Sequence, residues 1–271
     1  MTEKCQENAL ADYEMEEHWS AVGRQVRDRN GGNLLAGDDS PYNEYKAAQF
    51  GERFNPKFRV EGLSVLDVGC GPGGKLRSMT AQGARRVVGC DQSSEMVKLA
   101  KQNAPETEVL QIDGENLPFS DNEFDLVTTT TVLQHNPDAR RTKLLGEICR
   151  VSANDVFLFE DTAVEMPPFT TGKGPYQNFY ARPVGWYAGV CSCHSFVPIE
   201  FDRQETFVSR SVHMRLWGHL NRGARKEGEE FSKLHLAIEK RTLPFTKYLD
   251  RFVKNPKGEL TMMHFQRGPA D

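Results

Sequence analysis

The stretch Ser64-Val-Leu-Asp67-Val-Gly69-Cys-Gly71-Pro-Gly73-Gly74 joins a short apolar run to a glycine-rich turn. Val65, Leu66 and Val68 make the run nearly continuous, which is typical of a strand buried on both faces of a parallel sheet. The glycines that follow allow a tight turn and the close approach of a ligand to the backbone. This stretch therefore predicts an α/β fold that binds a nucleotide-like ligand at the carboxyl edge of its sheet.

The length and composition of the chain limit the classes of protein to which it can belong. It has 271 residues, of which 38% are hydrophobic and 27% are charged, and its formal net charge is −4. No apolar run approaches the roughly 20 residues that a membrane-spanning helix needs, and the negative charge gives no general attraction to nucleic acid. We expect a single domain with no membrane span and no nucleic-acid partner. Because the amino terminus lacks a signal peptide's hydrophobic core, we expect a cytoplasmic location.

The six cysteines are scattered without the spacing of a disulfide framework, so we expect reduced thiols. The segment Cys191-Ser-Cys193-His194 groups residue types that can bind a metal ion. A single cluster of this kind falls short of the four ligands of a structural zinc site, and a junction between a helix and a strand explains it without a metal. The sequence thus predicts no metal site.

Strand and helix patterns alternate after the glycine turn. Strands are predicted at 86–90, 108–112, 124–130 and 155–160, with two late strands at 195–202 and 259–265 that fit an antiparallel pair. Helices are predicted at 12–29, 43–54, 75–80, 93–103, 183–191 and within 211–252, and another opens with Asn136 as N-cap and Pro137 at its first position. This order predicts a doubly wound, Rossmann-like sheet of seven mostly parallel strands with an antiparallel last strand. Two amino-terminal helices and a helical insertion before the last strand complete the expected fold.

Three aspartates lie at or near the predicted ends of strands, where a ligand would bind. Asp91 follows the glycines by about 20 residues and can accept both hydroxyl donors of a ribose, or it can cap the helix 93–103. Asp113, followed by Gly114 and by Leu117-Pro-Phe119, offers an acceptor for an exocyclic amine such as that of adenine. Asp67 precedes the first glycine, where a carboxylate can hold a cationic amino group but would repel a pyrophosphate. The glycines also fit the dinucleotide pattern G-x-G-x-x-G through Gly74, but Asp67 and the late strands argue against a nicotinamide enzyme.

The motifs taken together resemble the class I S-adenosylmethionine-dependent methyltransferases of small molecules. They are Asp67-x-Gly69-x-Gly71-x-Gly73, Asp91, Asp113 with Leu-Pro-Phe, and Phe124-Asp125-Leu-Val, and they cover roughly residues 40–161. The resemblance implies S-adenosyl-L-methionine as cofactor, with the glycine turn under its methionine moiety, Asp91 on the ribose, Asp113 and Gly114 at the adenine, and residues 129–131 along the sulfonium. The expected cofactor-binding residues are Asp67, Gly69, Gly71, Gly73, Asp91, Gln92, Asp113, Gly114 and Thr130.

The same resemblance divides the chain into one methyltransferase domain with three parts. Residues 1–60 would form a helical cap, 61–161 the cofactor-binding core, and 162–271 a substrate-side loop with the helical insertion and the closing strands.

His135 is the candidate catalytic residue. A methyl group on a sulfonium is already activated, so the protein must mainly align a nucleophile and exclude water. A general base is needed only for a hydroxyl or a carbon acid, and His135 follows the fourth strand where such a base could act. Glu160 and Asp161, at the tip of the fifth strand, are further candidates. His135 could also simply form a hydrogen bond across its loop.

The acceptor is predicted only as a class. The fourth strand continues as Thr128-Thr-Thr-Thr-Val132 and lacks the Asn-Pro-Pro-Tyr type of motif with which related enzymes hold a planar amine. Tyr42, Tyr45, Tyr180 and Trp186 are candidate substrate contacts, although Tyr42 and Tyr45 would also suit the core. These aromatic residues favour a small or medium organic acceptor with an apolar part, methylated at O, C or N. A secondary metabolite, a quinone or phenol, a sugar or a lipid-linked group would fit.

Two other functions remain open at this stage. A nicotinamide-dinucleotide-dependent oxidoreductase would use the glycine turn differently, and a non-catalytic module would bind S-adenosylmethionine without turnover. The basic residues within 211–252 could serve an anionic substrate or partner, or they could form a solvated helix face, because several glutamates are interspersed among them.

Overall fold

The computed structural model describes residues 15–28, 40–163, 181–220, 231–253 and 260–269. Its strands, numbered in chain order, are β1 (Ser64–Val68), β2 (Arg86–Asp91), β3 (Glu108–Gln111), β4 (Phe124–Thr130), β5 (Ser152–Ala163), β6 (Arg182–Pro183), β7 (Phe196–Arg203) and β8 (Leu260–Arg267). Seven of them form one sheet in the order β3-β2-β1-β4-β5-β8-β7, and the two-residue β6 pairs with β5.

The sheet has the predicted mixture of strand directions. Strands β3, β2, β1, β4 and β5 are parallel, whereas β8 is antiparallel to β5 and β7 is antiparallel to β8. The predicted Rossmann-like fold is therefore confirmed. Since the carboxyl ends of the five parallel strands meet at one edge, the turns after β1, β2, β3 and β4 lie together there.

The helices cover both faces of this sheet. They are α1 (Met15–Asp28), α2 (Pro41–Phe54), α3 (Gly74–Ala81), α4 (Ser94–Asn103), α5 (Asp138–Val151), α6 (Val184–Ser192), α7 (Phe207–Leu220) and α8 (Lys233–Asp250). The predicted excursion over 211–252 contains parts of two helices, α7 and α8, which pack against each other. No helix within the described residues is long and apolar enough to cross a membrane.

The core is divided by the sheet, and β1 is buried along its whole length. On one face Leu66 packs with apolar residues of α5 and α6, among them Leu145 and Tyr187. On the other face Val65 packs with apolar residues of α2, α3 and α4, including Phe54. Burial on both sides explains why the sequence of β1 shows a run of apolar residues rather than an alternation.

One helix start differs from the sequence prediction. Helix α5 begins at Asp138 with Pro137 at its N-cap, so Asn136 is not the cap. Asn136 instead ends a 3₁₀ turn over Leu133–His135, and its Nδ2 donates a hydrogen bond of 2.9 Å to the carbonyl of Val132. The side chain that was predicted to open α5 therefore closes the preceding turn, and Pro137 at the N-cap forms no side-chain capping bond.

The two amino-terminal helices are held against the carboxyl edge of the sheet. Helix α1 packs on α4 through Val22, Met96 and Leu99, and the hydroxyls of Ser20 and Ser93 lie 2.9 Å apart. Helix α2 lies beside β5, where the ring of Phe50 is 5.0 Å from that of Phe159.

All five cysteines in the described part of the chain are free.

Candidate functional site

The glycine turn after β1 uses each of its three predicted glycines differently. Gly69, Gly71 and Gly73 have φ angles of 72°, 52° and 86°, which favour glycine over residues with a Cβ. A Cβ on Gly69 would lie 2.2 Å from Cγ2 of Val132, and one on Gly73 would lie 2.9 Å from Cα of Ala100. A Cβ on Gly71 would meet no protein atom within 4 Å. Gly69 and Gly73 thus serve close packing, and Gly71 leaves space beside the turn.

Asp67 and Lys75 form a buried ion pair beneath this turn. Nζ of Lys75 lies 3.7 Å from Oδ1 of Asp67 and donates hydrogen bonds to the hydroxyls of Thr128 (2.7 Å) and Thr130 (2.9 Å). Desolvation raises the pKa of Asp67 and lowers that of Lys75, and the attraction between them opposes both shifts. Oδ1 of Asp67 is buried and has no hydrogen-bond partner. An acceptor of this kind is suited to a ligand that brings its own donor.

Asp91 ends β2 and reaches the glycine turn. Its Oδ2 accepts the N–H of Gly71 at 2.9 Å, and its Oδ1 accepts the N–H of Ser93 at 2.9 Å. Ser93, rather than Asp91, is the N-cap of α4, because its hydroxyl accepts the N–H of Met96. Burial raises the pKa of Asp91 to about 6, with the nearby charge of Asp67 acting in the same direction. Each carboxylate oxygen can accept a further donor, so a ribose contact is compatible with these bonds.

Asp113 lies after β3 and shapes a tight turn with Gly114. Its carboxylate accepts the N–H groups of Glu115 and Asn116 and the side-chain amide of Asn116, and these bonds lower its pKa to about 2. Gly114 has a φ of 79°, and a Cβ there would lie 2.6 Å from Oε1 of Gln92. The structure therefore brings Gln92 close to Gly114, two of the residues predicted to bind the cofactor.

The 3₁₀ turn that carries His135 is held by Glu160 of β5. The fully buried carboxylate accepts the N–H groups of Val132 (3.1 Å), Leu133 (3.2 Å) and Gln134 (3.1 Å). Burial raises the pKa of Glu160 to about 7, against the effect of these hydrogen bonds. Because its carboxylate is occupied by the turn, Glu160 acts as a support for His135 rather than as an exposed base.

Helix α1 covers His135. The ring of Trp19 lies 5.0 Å from the imidazole of His135 at an interplanar angle of 76°. Nε2 of His135 is 3.4 Å from Nε2 of Gln134, whose Oε1 accepts the N–H of Asp161 at 2.6 Å. This covering by α1 is suited to keeping water away from the turn.

The predicted substrate residues do not all come together. Tyr42 is buried, with its ring stacked on His213 at 4.7 Å, and the ring of Tyr45 lies 4.5 Å from Nζ of Lys247. Trp186 instead packs under the guanidinium of Arg141 at 4.8 Å and against Tyr187, on the other face of the sheet. Tyr180 lies outside the described residues. Tyr42 and Tyr45 thus belong to one layer with α7 and α8, whereas Trp186 lies on the opposite face of the sheet.

A histidine and glutamate cluster links these helices. Oε1 of Glu239 lies 2.5 Å from Nδ1 of His213 and 3.4 Å from Nε2 of His235, and Oε2 accepts the N–H of Tyr42 at 3.1 Å. Burial opposes ionisation of Glu239, but the bonds from the two histidines lower its pKa to about 2. These are metal-binding residue types in close proximity. Hydrogen bonds among them account for the arrangement, so the absence of a metal site stays a prediction.

Two residues of the site escaped the sequence analysis. Lys75 follows the glycine turn by one residue, and its position in the first turn of α3, above Asp67, could have indicated an ion pair. Trp19 lies on a helix far from the motifs in sequence, and nothing in its local pattern connects it with His135.

Residues 65–155 match the family described as "Methyltransferase domain". The chain is 31% identical over 142 residues to a ubiquinone biosynthesis O-methyltransferase of Escherichia coli (strain ATCC 8739). This alignment covers 50% of this chain and 56% of the relative. The chain is also 36% identical over 91 residues to a demethylmenaquinone methyltransferase of Paenarthrobacter aurescens (strain TC1). This second alignment covers 34% of this chain and 35% of the relative. The chain thus spans only part of these relatives.

The fold is also found in solved structures of low sequence identity. The [4+2]-cyclase SpnF superposes with a TM-score of 0.65 at 16% identity, covering 94% of this chain and 96% of that protein. This likeness concerns the fold alone. The family match confirms that residues 65–155 form a methyltransferase domain, as the sequence motifs predict, and the fold agrees with it.

Proposed function

We propose that this chain transfers a methyl group from S-adenosyl-L-methionine to a small or medium organic acceptor with an apolar part. The observation that carries the proposal is the set of three carboxylates at the carboxyl edge of the sheet, one of which, Asp91, accepts the N–H of Gly71. Asp67, Asp91 and Asp113 stand at or near the ends of three neighbouring strands, and Oδ1 of Asp67, which is paired with Lys75, has no hydrogen-bond partner.

The donor set fits the three polar parts of the cofactor. Asp67 would accept the ammonium of the methionine moiety, since a carboxylate favours a cation. Asp91 would accept the ribose hydroxyls with the lone pairs that the N–H groups of Gly71 and Ser93 leave free. Gln92, Asp113 and Gly114 would border the adenine. When bound, the cofactor supplies a methyl group made electrophilic by a positively charged sulfur.

His135 would act as the base when the acceptor is a hydroxyl. The imidazole would take the hydroxyl proton while the oxygen accepts the methyl group that the cofactor would supply, and the cofactor would leave as a neutral thioether. Glu160 fixes the turn that carries His135, and Trp19 covers the imidazole. The role of the protein is thus alignment, proton removal and exclusion of water.

A phenol or quinol is the acceptor class to test first. The relatives include a ubiquinone biosynthesis O-methyltransferase and a demethylmenaquinone methyltransferase, although the chain spans only part of them. Tyr45, which is half-buried, is the predicted substrate residue in the described part of α2 that an aromatic acceptor could still contact. A secondary metabolite, a sugar or a lipid-linked group are the other acceptors that we would include.

Calorimetric titration and a turnover assay test this function. We expect saturable binding of S-adenosylmethionine, no binding of NAD, and formation of S-adenosylhomocysteine with at least one acceptor from a panel of phenols, quinols, sugars and prenylated phenols. Binding of NAD alone would contradict the proposal and favour an oxidoreductase. Binding of S-adenosylmethionine without turnover on any member of the panel would favour the binding module.

A further inference from the structure

Helix α8 buries mainly polar residues and exposes aromatic residues. Five of its residues are buried, His235, Glu239, Leu243, Thr246 and Asp250, and only Leu243 is apolar. A surface helix normally buries an apolar stripe and exposes a polar face. The arrangement in α8 is the reverse, so its outer face needs a separate explanation.

The polar side chains on the inner face form hydrogen bonds that attach α8 to α2 and α7. Glu239 binds His213 of α7 and the backbone of Tyr42 in α2. Oδ1 of Asp250 accepts the N–H of Val208 at 2.6 Å, and its Oδ2 accepts the hydroxyl of Ser209 at 2.6 Å. These contacts fix which side of α8 faces inward, and they leave the opposite side at the surface.

The outer face carries a stripe of large apolar side chains, which we call the aromatic stripe. Leu234, Phe245 and Tyr248 in α8, and Phe252 just after it, are 59%, 65%, 56% and 66% exposed. Phe245, Tyr248 and Phe252 are spaced by three and four residues, so they lie on one side of the helix. The rings of Tyr248 and Phe252 also contact each other, with centroids 5.3 Å apart. Exposed aromatic side chains that lie together in this way mark an interaction surface.

Every exposed charge between residues 231 and 253 is positive. Exposed cations stand at Lys233, Lys240, Arg241, Lys247 and Arg251, whereas the two acidic residues of this segment, Glu239 and Asp250, are buried and paired. Three of the lysines recur every seven residues and therefore form a row along one flank of the aromatic stripe. The sequence shows glutamates interspersed among these cations, but the acidic side chains of α8, Glu239 and Asp250, are buried.

We propose that α8 is a docking surface for a lipid layer with anionic headgroups. The aromatic stripe would enter the boundary between headgroups and acyl chains, and the lysine row would contact the phosphates beside it. The charge pattern favours this partner because only an anionic surface complements it. The long lysine side chains can also extend sideways to headgroups while the aromatic stripe lies between them.

The lipid surface would bring a lipid-linked acceptor close to the predicted substrate residues. Nζ of Lys247 lies over the ring of Tyr45 at 4.5 Å, so the lysine row borders α2. This step rests on the proposed function, whereas lipid docking itself does not, because it can be measured without turnover.

Vesicle co-sedimentation of the full chain tests the docking surface. The two lipid compositions are phosphatidylcholine alone and phosphatidylcholine mixed with phosphatidylglycerol. One variant, F245S/Y248S/F252S, removes the aromatic stripe, and another, K233Q/K240Q/R251Q, removes three cations that make no contact with the predicted substrate residues. The matched control is V197S/I199S, which removes exposed apolar side chains of β7 that are 47% and 52% exposed. Circular dichroism and S-adenosylmethionine binding check that each variant is folded.

We expect binding to the phosphatidylglycerol vesicles that weakens with added salt and is retained by the β7 control. The aromatic variant should lose most of this binding. The charge variant should bind on the order of 100-fold less tightly, from the usual contribution of a cation near an anionic membrane. Failure of the unchanged chain to bind, or equal binding by the β7 control and both α8 variants, would overturn the proposal. Dimers that dissociate only in the aromatic variant, without vesicle binding, would assign the stripe to a second copy of this chain instead.

Discussion

Nζ of Lys75 lies 3.7 Å from Oδ1 of Asp67, at the floor of the turn that carries Gly69, Gly71 and Gly73. The same ammonium lies 4.6 Å from the ring centroid of Phe159 and 4.9 Å from that of Phe58. One lysine thus joins the first strand of the sheet to the aromatic residues beneath α2. The predicted cofactor site and the aromatic residues that pack with α2 are therefore parts of one packed unit.

Removing Lys75 should destabilise the chain, because it leaves the carboxylate of Asp67 buried without a counter-charge. We expect Lys75→Met to lower the free energy of unfolding by about 3 kcal/mol, the lower end for breaking a buried ion pair. The double variant D67N/K75M should lose less, since neither charge remains. Urea denaturation measures both effects.

The matched control for Lys75 is Arg85→Met, which removes the exposed pair of Arg85 with Asp125. That change should cost less than about 1 kcal/mol. Equal losses for the Arg85 and Lys75 variants would show that the pair with Asp67 adds no more stability than a surface pair.

Gly69→Ala and Gly71→Ala should separate packing from ligand binding within one turn. The first places a Cβ 2.2 Å from Val132 at a φ of 72°, so we expect it to reduce the free energy of unfolding by about 3 kcal/mol. The second meets no protein atom within 4 Å and should cost only about 1 kcal/mol of backbone strain. Its Cβ would instead occupy the space beside the turn, so S-adenosylmethionine affinity should fall.

Urea denaturation and calorimetry of the two glycine variants give the comparison. Unchanged affinity in a folded Gly71→Ala chain would mean that the cofactor does not pass over this glycine.

The elements that could be predicted from the sequence are those set by local pattern. The bounds of β4 agree with the prediction residue for residue, and β1, β2 and β5 agree in position, because buried parallel strands have continuous apolar runs. The placement of Asp67, Asp91 and Asp113 at one edge follows from strand direction alone. The predicted N-cap of α5 was wrong. Asn136 could either cap α5 or donate a hydrogen bond to the carbonyl of Val132, and only the geometry of the preceding turn decides between the two.

Relationships between distant segments could not be predicted. The orientation of α8 depends on the pairing of Glu239 with His213 in α7, and the sequence shows only a mixed run of basic and acidic residues. The contact of Trp19 with His135 joins segments more than 100 residues apart, and no periodicity encodes it. The sequence predicts that Trp186 and Tyr42 both contact the substrate because both are aromatic. In the structure α6, which carries Trp186, lies on the other face of the sheet.

Asp91 should make cofactor binding depend on pH. Burial raises the pKa of Asp91 to about 6 in the folded chain, above its usual 3.8, so the folded state favours the protonated form. The cofactor-free chain should therefore lose stability as the pH rises from about 4 to about 6. Ribose hydroxyls donate best to the ionised carboxylate, so affinity for S-adenosylmethionine should fall about tenfold per pH unit below about 6.

Calorimetry of Asp91→Ala and Asp91→Asn tests this assignment. The alanine variant should weaken cofactor binding by on the order of 1.5 to 3 kcal/mol, the range for hydrogen bonds to a charged group. The asparagine variant should bind with an affinity that no longer varies near pH 6, as its side chain does not titrate. If the asparagine variant kept the pH dependence of the unchanged chain, another group would be responsible for it.

His135 is the residue predicted to act as the general base, and its replacement tests whether the protein supplies one. If the acceptor is a hydroxyl, His135→Ala should lower kcat by about 100-fold or more, the usual effect of losing a general base, while calorimetry shows nearly unchanged cofactor affinity. Trp19 lies over the imidazole, so Trp19→Leu should produce a smaller loss of turnover by admitting water to the turn. The control is His194→Ala, an exposed histidine at the end of α6. Undiminished turnover in His135→Ala would leave alignment of the acceptor as the main contribution of the protein, because a sulfonium methyl group can react with an acceptor that already carries a free electron pair.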